Sequence, residues 1–246
     1  MHRMKGHNME QLYDRADIYD LLEKDPSRAK FVRKHWETIL KNRNIRNLLD
    51  VSIGSGNMTL PLLELGVSLY GSDLSINMLR KCRDKATAKG CTVDLRECDF
   101  RKLNTVFHKQ FDCVASTGNS LPYVRNDEVM DVISQMDALV RPGGYLYLDL
   151  RNWDLIQKTR QRFYLYNPVF DNDIRINLTQ AWDYYEDGTM DFNLLFYLRK
   201  GEQNPPERDF YRALLSNFPG NDDQQTKATG LSGHFRIQNA RSCRYL

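Results

Sequence analysis

The segment best suited to chemistry is a glycine turn, Gly54-Ser55-Gly56, which follows the short apolar run from Leu48 to Ile53. The run predicts a buried strand, and the two glycines would let the backbone approach a bound ligand without a clash from a Cβ atom. The helix predicted after the turn would point its free amide N–H groups at the same place. We therefore expect a ligand-binding turn at the end of a strand.

A carboxylate is spaced to complete that turn. Asp73 lies 19 positions after Gly54, at the end of the second predicted strand, where it can accept hydrogen bonds from both hydroxyls of an adenosine-type ribose. Three interpretations compete: a dinucleotide-dependent oxidoreductase, an S-adenosylmethionine enzyme and a purely structural turn. Two glycines alone are a weak signal, but the added carboxylate makes the structural turn the minority interpretation.

The two ligands differ in charge, and the residues favour the one without a phosphate. A pyrophosphate needs a third glycine in its backbone cradle, and Thr59 occupies that position. S-Adenosylmethionine has an amino-acid end, for which Asp50 can supply a carboxylate at the first turn. Asp99 would accept a hydrogen bond from the adenine amino group, and the Phe100 ring would lie against the base. Taken alone, Asp99 could equally cap the next helix, and the adjacent Phe100 favours the adenine role. The interpretation as an oxidoreductase using NAD is therefore second.

The surrounding elements alternate between short strands and helices, which predicts βαβ units and an α/β fold. After Asn152, two runs with alternating apolar residues flank the turn Glu186-Asp187-Gly188, which predicts an antiparallel hairpin inserted after the fifth strand. The predicted strands are Leu48–Ile53, Val67–Tyr70, Thr92–Leu95, Phe111–Ser116 and Tyr145–Leu150. Ser27 can cap a helix that runs to about Leu40, and Ser75 can cap a helix that runs to about Lys89. Two further helices are predicted from Met58 to Leu65 and from Asp127 to Val140.

Composition excludes several classes of protein. The 246 residues are 41% hydrophobic and 27% charged, as in soluble globular domains, and a net charge of +3 does not indicate nucleic-acid binding. No apolar run approaches the ~18 residues of a membrane span, and the polar start predicts no signal peptide. The five cysteines and five histidines lack metal-ligand spacing, so we expect no metal site and a cytoplasmic protein with reduced thiols.

Three segments together resemble the motifs of class I S-adenosylmethionine-dependent methyltransferases: Asp50–Gly56, Gly71–Ser75 and Arg141–Gly144. In this resemblance, Arg141–Gly144 is the turn before the fifth strand. The resemblance covers roughly Leu48 to Leu150. It implies a Rossmann-like, doubly wound, mostly parallel sheet with helices on both faces, S-adenosylmethionine as cofactor, and Leu74 beside Asp73 in the cofactor site.

A closer resemblance rests on the segments after the fourth and fifth strands. Thr117–Ser120 and Asp149–Asp154 are similar to glycine N-methyltransferase and its relatives, which include glycine/sarcosine N-methyltransferases and aminosugar N,N-dimethyltransferases. This family shares a β-rich lid after the fifth strand, which the predicted hairpin would supply. In glycine N-methyltransferase the residues that match Asn119 and Arg151 hold the substrate carboxylate.

The same resemblance assigns residues to the cofactor. Arg28 matches the arginine that binds the methionyl carboxylate, Tyr19 falls where the family has an aromatic residue over the cofactor, and Thr117 opens the motif after the fourth strand. By position alone, Arg151 leads out of the fifth strand at the sheet edge where α/β sites lie. There it has a second interpretation, a salt bridge to Asp149 or Asp154.

These expectations divide the chain into four regions. Residues 1–43 would form a helical cap over the cofactor site, residues 44–155 the cofactor-binding core, residues 156–206 the lid with its hairpin, and residues 207–246 the return to the sheet. The polar stretch after Asn217 lacks a core pattern, so we expect poor order after about residue 216, with Phe235 and Ile237 as a final strand.

The predicted reaction is in-line transfer of a methyl group from S-adenosylmethionine to the nitrogen of a small amine. Glycine or sarcosine leads, followed by an aminosugar nucleotide and then oxygen acceptors. Such a transfer requires a neutral amine held ~3 Å from the methyl group and the exclusion of water, without a metal or a proton-transfer triad. A non-catalytic S-adenosylmethionine-binding protein remains an alternative. The expected partner is a small-molecule amine, with no nucleic acid and no membrane, and homo-oligomer formation stays open.

Overall fold

The computed structural model describes residues 20, 26–171, 173–200, 215–216, 228–229 and 244–245. The longer elements are α1 (Pro26–Leu40), β1 (Asn47–Asp50), β2 (Ser68–Asp73), α2 (Ile76–Ala88), β3 (Asp94–Glu97), β4 (Phe111–Ser116), α3 (Val129–Ala138), β5 (Val140–Leu148), α4 (Trp153–Thr159), β6 (Phe163–Leu165), β7 (Val169–Asp171), β8 (Ile174–Tyr184) and β9 (Thr189–Lys200). Three two-residue strands follow: β10 (Leu215–Ser216), β11 (Ala228–Thr229) and β12 (Arg244–Tyr245). Short 3₁₀ helices span Leu60–Leu65, Phe100–Thr105 and Leu121–Tyr123.

A parallel sheet forms the centre of the molecule. Its strand order is β3-β2-β1-β4-β5-β12, and every neighbouring pair is parallel. The order reverses between β1 and β4, so the connections on the two sides of this point run in opposite directions and leave a crevice at the carboxyl ends of the strands. The doubly wound α/β prediction is confirmed, and the glycine turn follows β1 at this crevice.

Helices cover both faces of this sheet. Neighbouring residues of one strand alternate between two apolar cores: Leu48 and Cys113 belong to one core, and Leu49 and Val114 to the other. Burial on both sides explains why consecutive apolar residues occur in both strands, at Leu48–Leu49 and at Cys113–Ala115, instead of an alternating pattern. None of the helices in the described ranges is long and apolar enough to span a membrane.

An antiparallel sheet follows the fifth strand, as predicted. Its order is β10-β9-β8-β6, with β7 paired to β8 and β11 to β9. The β8–β9 hairpin turns at Gly188, whose φ is 82°, and brings Trp182 opposite Phe192. We refer to β6 through β9 as the lid. The lid packs against α4 through a buried cluster of Trp153, Trp182, Met190 and Phe192.

The structure corrects the prediction that Arg141–Gly144 forms a turn before the fifth strand. These residues lie inside β5, where Phe111 pairs with Val140 but Cys113 pairs with Tyr145, so β5 carries a bulge. The Arg141 guanidinium contacts the Asp112 carboxylate on β4. This long-range ion pair holds the segment against the sheet, whereas its Pro-Gly-Gly composition is locally typical of a turn.

Two helix starts also differ from the predictions. Helix α1 begins at Pro26, so Ser27 lies within its first turn and does not precede it; proline is well suited to that position because its N–H would be unpaired there anyway. The helix predicted from Met58 is a 3₁₀ helix over Leu60–Leu65, which ends at Gly66 as expected.

The C-terminal predictions fall mostly outside the described residues, including Phe235 and Ile237. Within the described part, β12 joins β5 in parallel, and β10 and β11 pair with β9 in the antiparallel sheet. The four region boundaries stay predictions.

Candidate active site

The glycine turn and the end of β2 are joined by one carboxylate. The Gly54 amide donates to Asp73 Oδ2 at 2.9 Å, and the Ser75 amide donates to Asp73 Oδ1 at 2.9 Å. Burial raises the pKa of Asp73, and these backbone donors oppose that rise. Next to it, the Leu74 side chain is 43% exposed. The structure therefore brings Gly54, Asp73 and Leu74 together at the carboxyl edge of the sheet.

Asp50 is bonded to the residues around the glycine turn. Its side chain is fully buried, and it accepts hydrogen bonds from Thr117 Oγ1 at 2.7 Å, Thr59 Oγ1 at 3.0 Å and the Ser52 amide at 3.1 Å. Burial raises the pKa of Asp50 to about 6. Both carboxylate oxygens bond to the protein itself, so Asp50 shapes the turn, and its role toward the cofactor stays a prediction.

The same contacts explain two other residues of the motifs. Thr59 occupies the position of a third glycine, and its hydroxyl ties the residue after the turn to Asp50. Thr117, which was assigned to the cofactor, is buried and ties the end of β4 to the same carboxylate. The turn is thus held by side chains from three separate segments.

Asp99 lies at the start of a helix, which is the alternative given for it, and Phe100 lies in the core; their roles toward the cofactor stay predictions. Asp99 caps the 3₁₀ helix that follows it, accepting from the Arg101 amide at 2.8 Å, and its carboxylate lies 2.6 Å from the Arg101 guanidinium. Burial acts to raise the pKa of Asp99, but the Arg101 hydrogen bonds outweigh it and the pKa is lowered. The Phe100 ring is 8% exposed and belongs to the core, because the helical turn after Asp99 directs it inward.

On the opposite side of the crevice, Asn119 joins the ends of β4 and β5. It has a left-handed backbone with φ 61°, and its Oδ1 accepts hydrogen bonds from the Arg151 amide at 3.0 Å and from Trp153 Nε1 at 3.1 Å. The side chain therefore fixes the backbone from which the Arg151 guanidinium projects.

The Arg151 guanidinium has neutral neighbours. Its Nη1 donates to Gln180 Oε1 at 3.0 Å, and its central carbon lies 5.6 Å from the Tyr164 ring centroid and 5.4 Å from that of Trp182. Among the residues that the structure describes, no carboxylate forms an ion pair with it. The alternative of a salt bridge to Asp149 or Asp154 is not observed.

Three residues around Arg151 were missed by the sequence analysis: Gln180, Tyr164 and Tyr166. Gln180 does carry a signal. It is the polar member of the apolar parity of β8, between Leu178 and Trp182, and it is nevertheless buried. A polar residue at such a position is a reason to look for a specific hydrogen-bond partner.

Two described residues from the N-terminal part of the chain, Arg28 and Asp20, interact with residues of this region. Burial raises the pKa of Tyr166, and the charge and hydrogen bond of Arg151, together with the charge of Arg28, oppose that rise. Asp20 accepts a hydrogen bond from Ser55 of the glycine turn at 2.7 Å. Tyr19 lies outside the described residues.

Sequence comparisons match the same region. Residues 48–144 match a family described as a methyltransferase domain. The chain is 28% identical over 189 residues to a glycine/sarcosine N-methyltransferase of Halorhodospira halochloris, covering 74% of this chain and 70% of that protein. It is 30% identical over 149 residues to the Parasynechococcus marenigrum protein of the same name, covering 60% and 53%. The chain thus spans from about half to about 70% of the length of these relatives.

Solved structures share the fold. An S-adenosylmethionine-dependent methyltransferase from Clostridium acetobutylicum is 22% identical, with a TM-score of 0.58 and coverage of 76% of this chain and 74% of that one. An amino pentose methyltransferase of calicheamicin biosynthesis from Micromonospora echinaspora, solved with S-adenosylmethionine bound, is 16% identical, with a TM-score of 0.60 and coverage of 81% and 79%.

The matched region contains β1 to β4, the glycine turn and Asp73, the elements that build the crevice. Among the described residues, Asp73 Oδ2 is the atom nearest to a Cβ added at Gly54, at 4.0 Å, so there is space between the turn and this carboxylate. Residues 48–144 are thus similar to a methyltransferase domain, and the chain is similar to the glycine/sarcosine N-methyltransferase group.

Proposed function

We propose that this methyltransferase acts on the nitrogen of a small amino acid, glycine or sarcosine. The observation that carries the proposal is the Arg151 guanidinium, which lies just beyond β5 with a neutral amide and aromatic rings as its neighbours. The names of the similar curated proteins support the same acceptors.

A guanidinium in this setting suits an acceptor that carries a carboxylate. Its planar N–H groups match the two carboxylate oxygens, and the half-buried position reduces competition from water. The Tyr164 and Trp182 rings lie beside the guanidinium and restrict its movement. In glycine or sarcosine, the nitrogen would then lie two bonds from the carboxyl carbon that is held in this way.

The other site residues would bind the cofactor or position Arg151. S-Adenosylmethionine supplies a methyl group activated by a sulfonium. Asp73 and the glycine turn would bind the ribose of the cofactor, and Arg28 would bind its methionyl carboxylate. Asn119 would hold Arg151 in place. In-line transfer then depends on alignment and on the exclusion of water, which can contribute several kcal/mol.

The first experiment is calorimetric titration with S-adenosylhomocysteine and, separately, with NADH. We expect S-adenosylhomocysteine to bind and NADH not to bind, because Thr59 replaces the third glycine of a pyrophosphate cradle. Binding of NADH alone would contradict the assignment of the cofactor site.

The acceptor is tested by transfer of a radiolabelled methyl group to glycine and sarcosine. Methylamine and ethanolamine, which lack a carboxylate, serve as controls. We expect label in one or both amino acids and little in the controls. Label in an aminosugar nucleotide or a hydroxyl acceptor, with none in the amino acids, would overturn the proposed acceptor, and cofactor binding without any transfer would favour a non-catalytic protein.

A further inference from the structure

We propose that Gln180 is a positioning residue for acceptor binding. Its side-chain oxygen holds the Arg151 guanidinium in one orientation and, being neutral, leaves the positive charge available for the carboxylate of the acceptor. This inference rests on the proposed function, since it takes Arg151 as the group that binds the acceptor.

The orientation of the Gln180 amide is set by two N–H donors. Its Oε1 accepts from Arg151 Nη1 at 3.0 Å and from Trp182 Nε1 at 3.1 Å. Neither donor can accept a hydrogen bond, so the atom that both face must be the oxygen and not the amide nitrogen. The Trp182 side chain is 1% exposed and cannot move freely, so one of the two donors is fixed in the core.

Packing alone does not explain why a glutamine occupies position 180. It lies on the apolar face of β8 and is 9% exposed, opposite Leu194 of β9 and Tyr164 of β6. An apolar side chain would fill this place without the cost of burying an amide. What the amide adds is the pair of hydrogen bonds to Arg151 and Trp182.

The hydrogen bond between Arg151 and Gln180 also joins two parts of the molecule. Gln180 belongs to the lid, whereas Arg151 follows β5 of the parallel sheet and has its backbone fixed by Asn119. The guanidinium is therefore held from both sides, and its final orientation exists only where the lid meets the sheet. An acidic residue at position 180 would also orient it but would neutralise its charge.

The test compares Gln180→Glu and Gln180→Leu with a matched control, Asn177→Asp. The control makes the same amide-to-carboxylate change on the same strand, but on the opposite face, because side chains alternate along β8. Each variant is checked for S-adenosylhomocysteine binding, which depends on the glycine turn and shows that the protein is folded.

The first readout is independent of activity. NMR follows the side-chain N–H signals of Arg151 and Trp182, assigned with Arg151→Lys and Trp182→Phe, with acetate as the probe of anion binding. We expect Gln180→Leu to move both signals without acetate, and Gln180→Glu to abolish the response of the Arg151 signal to acetate. Asn177→Asp should behave like the unsubstituted protein. Unmoved signals in both Gln180 variants, or equal changes in the control, would overturn the proposal.

The second readout is the KM for glycine and sarcosine. We expect Gln180→Glu to raise it by about tenfold or more, the usual effect of losing a charge-assisted hydrogen bond, with S-adenosylhomocysteine affinity unchanged. An unchanged KM would overturn the proposal. If the unsubstituted protein methylates neither amino acid, the proposed function fails, and the NMR experiment still decides whether Gln180 positions Arg151 for an anion.

Discussion

At the scale of single residues, Asp50 organises the turn through a buried charge. Three donors, from Ser52, Thr59 and Thr117, bond to its carboxylate, yet burial still raises its pKa from 3.8 to about 6. The ionised carboxylate therefore costs folding free energy at neutral pH, although its hydrogen bonds hold the cofactor turn together. Asp50 thus lowers the stability of the protein while it fixes the geometry of the site.

The raised pKa predicts that the effect of Asp50→Asn on the free energy of unfolding depends on pH. The native pKa lies above the unfolded one, so the unfolded chain releases its proton first, and the original protein loses stability as the pH rises from about 4 to about 7. Relative to the Asn variant, this loss should be about 2 kcal/mol over that interval. Chemical unfolding of both proteins at the two pH values measures it, and parallel stabilities would contradict it.

Arg151→Ala tests the acceptor side. We expect the KM for the amino-acid acceptor to rise about tenfold or more, because a charged hydrogen-bond donor is removed, while S-adenosylhomocysteine affinity is unchanged. Arg162→Ala is the control, since Arg162 directly precedes β6 and forms an exposed ion pair with Asp183, which contributes little. Equal losses of acceptor and cofactor binding in Arg151→Ala would indicate a structural role instead.

At the scale of elements, the glycine turn depends on the close packing of the 3₁₀ helix and α2. Gly56 has φ 84°, and a Cβ there would stand 2.6 Å from Leu60 Cγ and 2.8 Å from Cys82 Sγ. Gly66, at the end of the same 3₁₀ helix, has φ 79° but nothing within 4 Å of its added Cβ. The two glycines share a backbone conformation and differ only in their surroundings.

Alanine substitutions at Gly56 and Gly66 separate the cost of the left-handed backbone from the cost of overpacking. Gly66→Ala should cost about 1 kcal/mol of stability from the left-handed backbone alone and leave S-adenosylhomocysteine binding intact. Gly56→Ala should cost a further 1 to 3 kcal/mol, roughly, from overpacking, and should weaken cofactor binding because the turn must move. Denaturant unfolding and calorimetry measure both quantities. Similar results for the two variants would show that the contacts of Gly56 do not matter.

At the scale of the whole molecule, an aromatic cluster attaches the lid to the parallel sheet. Phe192 is 3% exposed, and its ring centroid lies 5.7 Å from that of Trp153 and 5.8 Å from that of Trp182. Since Trp182 also donates to Gln180, the cluster that stabilises the lid supports the Arg151 site. The cofactor turn is built by other elements.

Phe192→Ala should therefore separate acceptor use from cofactor binding. We expect a loss of about 3 to 5 kcal/mol in stability and a lower kcat/KM for the acceptor, with S-adenosylhomocysteine affinity nearly unchanged. Leu195→Ala, half-buried on the opposite face of β9, is the control and should have a smaller effect on both. A fall in cofactor affinity as large as the fall in kcat/KM would contradict this division of the molecule.

Much of the fold was predictable because its signals are local. Apolar runs marked β1 and β4, the Ser75 cap marked the start of α2, and alternation around Gly188 marked the β8–β9 hairpin. The bulge in β5 was not predictable, because the ion pair of Arg141 with Asp112 joins residues from two strands. The turn-like composition of the segment is outweighed by that distant contact.

From spacing and periodicity, the amino-acid sequence by itself determined an α/β fold with a ligand-binding glycine turn and Asp73 at the next strand end, and its resemblance to methyltransferases implied the doubly wound sheet. It also marked Asn119 and Arg151 by resemblance. Only the tertiary structure decided that Asp50 and Thr117 shape the turn, that Phe100 belongs to the core, and that Gln180 holds Arg151. Burial and hydrogen-bond partners depend on residues that are distant in the chain, and spacing cannot specify them.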